Sequence, residues 1–212
     1  MTTAVNLLLE ERAQLCNTLE KLGPQAPTLC KGWLAEDLAA HLMIREHDPL
    51  ALPGMALPGP FSNYTKAAME KAKQQGFDKL VSTLRQGPPL LYKLPGPLAT
   101  ANLVENWVHH EDLRRPAGEA PRDSSPELDM VLSRVIPIQL RLAVMRVKGV
   151  TIQAVLPDGR RTQSGKGIAT VEIAGPVGEL VLFLFGRGEA AQVSFDGPDY
   201  AVEAVRNGNF GI

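Results

Sequence analysis

The hydrophobic period of this 212-residue chain first switches to that of a strand near residue 150. Before that point apolar residues recur three and four apart, the spacing of one helix face. After it they alternate as Val150, Ile152, Ala154 and Leu156, the period of a half-buried strand. A long helical stretch followed by a short mixed one cannot build an alternating, doubly wound sheet. It predicts an α+β chain, helical in its first half and mixed in its second. At about 150 residues per domain, the length suits one large or two small domains.

Proline and glycine punctuate the helical part. Leu7, Leu8, Leu15, Leu19 and Leu22 mark a first helix over 4–22, stopped by Gly23-Pro24. A second covers about 34–47, with Leu34, Leu38, His41, Leu42 and Arg45 on one side. Pro49, Pro53, Pro58 and Pro60 then make a long loop over 49–60. A third helix is predicted from Ser62 to Gln86, with Gly76 as a weak point, and a fourth from about Pro97 to Arg115. Four such helices suggest a bundle. The linker Pro116–Arg122 separates a bundle at residues 1–120 from an α+β domain at residues 121–212. In that second part Ser125-Pro126 starts a helix reaching Val147, bent near Pro137. Pro157-Asp158-Gly159 is the turn of a hairpin. Ala169–Ala174 is a further strand, Val177–Phe185 a short apolar helix, and Ala191–Phe195 and Pro198–Asn207 a last strand and helix.

Charge excludes several classes. With 22 Lys+Arg against 23 Asp+Glu, nothing favours a nucleic acid partner. Aromatics at 5% disfavour base-stacking platforms. No apolar run approaches a membrane span, and the N-terminus does not read as a secretory signal, so a cytoplasmic location is expected. Cys16 and Cys30 cannot make a disulfide scaffold, and their spacing matches no thiolate zinc pattern. Both read as small packed residues, a reactive thiol at Cys30, beside Lys31, being the alternative.

Only four histidines occur, His41, His47, His109 and His110, all within two predicted helices. Glu105 and His109 stand four residues apart, one turn along one helix face. His41 lies on the apolar side of another helix. Two imidazoles and a carboxylate form a ligand set that catalytic zinc uses with a position left open, and nickel and iron also accept it. The competing reading is a Glu105–His109 helix ion pair with His41 as a core histidine. His110, Glu111 and Asp112 read as a solvated face or as groups behind the ligands, and His47 as surface.

The segment Gly32-Trp33-Leu34-Ala35-Glu36-Asp37-Leu38-Ala39-Ala40-His41 resembles the second-helix signature of the DinB-like, mycothiol-dependent maleylpyruvate isomerase family. Glu105 and His109 match its later E-x-x-x-H pair. Pro27–Cys30 and Glu11-Arg12 fit an actinobacterial, metal-binding branch. Gly167–Pro176 and Glu179–Arg187 resemble its C-terminal strand, turn and helix. The resemblance implies a DinB-like four-helix bundle followed by a sterol-carrier-protein-like α+β domain. It also implies a divalent metal, zinc first, held by His41, Glu105 and His109, with mycothiol as the thiol cosubstrate. The expected chemistry is attack of a metal-activated thiol on a small electrophile, as an isomerase or S-transferase. Arg187 is expected to hold a substrate anion, with the loop Pro49–Pro60 and Arg187 closing over the metal. Monomer and homodimer both fit. A metal-binding protein without thiol chemistry and a non-catalytic small-ligand module are the alternatives.

Overall fold

The computed structural model describes residues 3–56, 59–89, 96–208 and 210–211, so residues 57–58 of the predicted long loop lie outside it. The chain divides into two compact units, Met1–Arg122 and Asp123–Ile212. Helices and a sheet are both present, as an α+β chain requires.

The first unit is helical among the described residues. It comprises α1 (Thr3–Leu22), α2 (Ala35–His47), a 3-10 turn (Pro49–Ala51), α3 (Leu52–Ala56), α4 (Pro60–Lys73), α5 (Phe77–Arg85) and α6 (Pro97–Arg114). The single helix expected over 62–86 is thus two. Gly76 sits at φ +89°, a left-handed backbone that a helix interior does not use, and it caps the start of α5. Pro60 at the first turn and Gly59 before it, rather than Ser62, begin α4. The predicted loop over 49–60 includes the 3-10 turn and α3.

Helix α1 lies along α6, α2 packs on α4 and α5, and α5 also meets α1. Leu15, Leu19, Leu38, Leu42, Leu80, Leu84 and Leu113 fill the space between them. Cys16 joins that core, where burial pushes its thiol up to about 11. It is a packed residue with little thiolate at neutral pH.

The second unit holds α7 (Pro126–Ser133), α8 (Ile136–Arg146), α9 (Val177–Leu184) and α10 (Asp199–Arg206). Its four strands are β1 (Val150–Val155), β2 (Arg161–Ser164), β3 (Ala169–Ala174) and β4 (Ser194–Asp196). Two helices replace the single bent one expected over 125–147, because Pro137 lacks the N–H that would continue it. The sheet order is β2-β1-β3-β4, with β1 and β3 parallel and both outer pairs antiparallel. The hairpin turn forms as its chemistry dictates: Gly159 takes φ +84°, and Asp158 accepts from the Arg160 backbone at 3.0 Å. Val150, Ile152, Ala154, Val171 and Ile173 are buried on the sheet, and α8 and α10 pack against it. Phe183 of α9 meets Phe195 and Phe210 edge to face. Glu179 is buried and accepts from the Gln192 backbone at 2.7 Å, tying α9 to the segment before β4.

Candidate metal centre

Helix α2 begins at a built cap. Gly32 takes φ +78°, which frees the chain to turn, and the Asp37 carboxylate reaches back to accept from the Leu34 backbone at 2.9 Å. That reach is half of a capping box and fixes where α2 starts. Lys73 of α4 donates to the other Asp37 oxygen at 2.8 Å. One turn on from Asp37, His41 faces Trp33, with ring centroids 5.1 Å apart. The Gly-Trp and Asp of the signature thus set the position of its histidine.

The three residues singled out by spacing come together. Donor atoms of His41, Glu105 and His109 all lie within 4.8 Å of one another. His109 Nε2 is 3.3 Å from Glu105 Oε2, and the His41 and His109 rings meet edge to face at 5.1 Å. Donors of a tetrahedral zinc stand about 3.4 Å apart, so side-chain shifts of about 1 Å would let all three share one ion. The donor set and its spacing fit such a metal.

Behind the ligand set stands a carboxylate. Asp112, fully buried, lies 2.8 Å from His109 Nδ1 through its Oδ2. That contact fixes the ring and leaves Nε2 toward Glu105, the arrangement in which a carboxylate orients a metal-binding imidazole. Cys30 donates its thiol to the same Asp112 oxygen at 3.1 Å, and Leu29 donates its backbone N–H to the Asp112 carbonyl at 3.0 Å. Thr28 holds the loop by accepting from the Cys30 backbone at 3.1 Å. Cys30, His109 and Asp112 form a second group of donors within 4.8 Å, sharing His109 with the first. Their nearness is a product of the fold, and the spacing in the chain gave no sign of it.

Electrostatics follow the geometry. Burial by itself would raise the Glu105 carboxyl, but the hydrogen bond from His109 and the charges of Arg45, His109 and His41 bring it down to about 2. Burial opposes charge on His109, yet the hydrogen bonds with Asp112, Cys30 and Glu105 outweigh it and raise its pKa well above the usual value.

His110, Glu111 and Asp112 do not form a solvated face; all three are buried. His110 turns toward α1, its Nδ1 2.7 Å from Glu11 and its Nε2 2.8 Å from Thr18. Arg122 donates to both Glu11 oxygens at 2.9 Å, and Glu111 pairs with Arg114, Arg115 and Arg122. His47 is exposed, as expected. Arg187, in the second unit, donates to the Phe185 carbonyl at 2.6 Å.

No protein-family model matches the chain, and no curated protein does. Among solved structures, the mycothiol-dependent maleylpyruvate isomerase aligns over 92% of this chain and 93% of its own, with TM-score 0.59 and 13% identity. A histidine-to-alanine mutant of that enzyme aligns over the same shares at TM-score 0.57 and 13% identity. The likeness spans nearly all of both chains, and this protein shares their fold.

Proposed function

We propose that this protein is a divalent-metal-dependent isomerase that uses a small thiol, mycothiol, to act on an electrophilic small molecule. The observation that carries the proposal is the meeting of His41, Glu105 and His109 from two helices, in the fold of an enzyme described as mycothiol-dependent. Zinc suits two imidazoles and a carboxylate. A bound divalent cation favours the thiolate form of a thiol, the nucleophilic form, at neutral pH.

The chain's own groups divide the work. His41 from α2 and His109 from α6 present imidazole nitrogens, and Glu105 presents an anionic oxygen that stays ionised at any working pH. Asp112 holds His109 by Nδ1 and keeps Nε2 for the ligand role. Cys30, donating to Asp112, serves as a support within the loop rather than as the attacking thiol. Addition of a thiol to a carbon–carbon double bond, rotation and elimination would be isomerisation; loss of another group would be S-transfer. Arg187 is retained as a candidate contact for a substrate anion.

Cobalt substitution tests this reading. Cobalt-loaded protein should gain a sulfur-to-metal absorption band when mycothiol is added, and His41→Ala should abolish it. A spectrum that mycothiol leaves unchanged would exclude the thiol chemistry.

A further inference from the structure

Arg45 stands one helical turn beyond His41, so both project from the same side of α2. Its Nε is 3.7 Å from Glu105 Oε2, and its Nη1 donates to the amide oxygen of Asn102 on α6. Asn102 is 1% exposed; its amide nitrogen is buried and has no hydrogen-bond partner. Asn106, one turn on, donates from Nδ2 to the Asn102 carbonyl at 2.8 Å, and its own Oδ1 is likewise buried without a partner. Buried polar atoms in folded chains are nearly always satisfied, so an orphaned amide donor beside a guanidinium points to a missing acceptor.

The group has an open and a closed side. The Arg45 and Glu105 side chains are 16% and 26% exposed, whereas His109 and Asp112 are 8% and 0%. A small molecule therefore approaches along the Arg45–Glu105 edge. With a divalent ion on the donors, Glu105 and Asp112 cancel its charge, and the guanidinium remains over. A planar fork of donors beside an amide N–H is the chemistry that recognises a two-oxygen anion.

We propose that Arg45, seated by Asn102, receives an oxyanion of carboxylate type next to the three donors. The inference rests on the metal reading of the preceding subsection and adds to it the residues that receive the anion. It assigns that recognition to the helical unit itself. While the site holds no anion, Arg45 repels the cation that Glu105 attracts, so anion and metal binding are coupled. Each tightens the other by the same factor.

The test uses the full-length protein, cobalt and succinate. Succinate should tighten cobalt binding to the wild-type chain by about fivefold or more. In Arg45→Gln that effect should vanish, and cobalt alone should bind more tightly than to the wild type. Arg45→Lys, which keeps the charge but loses the fork, should retain part of the effect, and Asn102→Leu should weaken it. An equal succinate effect in wild type and Arg45→Gln, or none in a wild type that binds cobalt, overturns the proposal alone. No cobalt binding by the wild type overturns this proposal and the metal reading together.

Discussion

Helix α6 buries two adjacent histidines that face different worlds. His110 looks toward α1, where Glu11, Thr18 and Arg122 leave neither ring nitrogen without a partner. His109 looks toward α2, where four further donor residues and a partly exposed edge surround it. Both rings are buried, and both stand beside carboxylates. What separates them is capacity. The His110 side is closed by cations that match its acids, so its groups are consumed by folding. The His109 side gathers two groups of metal-type donors around one ring and keeps Glu105 and Arg45 within reach of solvent. Burial and a nearby acid do not identify a functional histidine; ligand atoms converging on an accessible edge do.

The sharpest way to break this comparison is to unbalance the closed side. Glu11→Ala leaves the buried His110 without its anion and Arg122 with Glu111 alone, and should cost about 3–5 kcal/mol in chemical denaturation. Zinc affinity should be unchanged in the folded fraction. The sign with pH follows from the same residue. Burial alone would raise the Glu11 carboxyl, but His110 and Arg122 together bring it below the usual carboxylate value. Its contribution is therefore complete above the unfolded-state pKa and is lost as pH falls through the folded one. Wild type and Glu11→Ala should converge in stability at low pH. A constant gap between them would mean that the charge of Glu11 is not what stabilises the fold.

Asp112→Asn probes the open side and should be the next largest effect. Losing the carboxylate behind His109 should weaken zinc by about 10–100-fold in a metal-competition titration. Asp112 also raises the His109 pKa, so zinc must displace a proton, and affinity should fall as pH drops through that pKa. In Asp112→Asn this fall should move to lower pH. A pH dependence that does not move would separate His109 from the site.

Thr18→Val is the mildest change. It removes one hydrogen bond to His110 and should cost about 1 kcal/mol, with zinc affinity untouched. A loss of zinc binding would show that the two sides of α6 are coupled rather than independent.

Much of this contrast was hidden in the sequence, for physical reasons. The pair Glu105–His109 and the histidine of α2 were legible because helical spacing places side chains on faces. The α+β division was legible because the hydrophobic period changes near residue 150. Residues 110–112 were misread in part because α6 is covered around its C-terminal half. Helix α1 lies along it, Leu29 and Cys30 meet Asp112, and Arg122 returns to Glu111. A helix wrapped in this way has no solvated face, so polar spacing stops reporting exposure. Gly76 and Pro137 were visible as weak points, but sequence alone did not decide between a bend and a break. Cys30 reaches the site through a loop contact with no periodic signature. Arg45 was placed on the side of His41, yet its pairing with Glu105 and Asn102 depends on how α2 and α6 meet.

The central claim is that His41, Glu105 and His109, and not the Cys30 group, hold the metal. X-ray absorption of the zinc-loaded protein without added thiol tests it most directly. The account predicts one zinc per chain with two imidazole nitrogens and a carboxylate oxygen at about 2.0–2.2 Å. A sulfur neighbour at about 2.3 Å would place the ion on Cys30, His109 and Asp112 instead, and would contradict it.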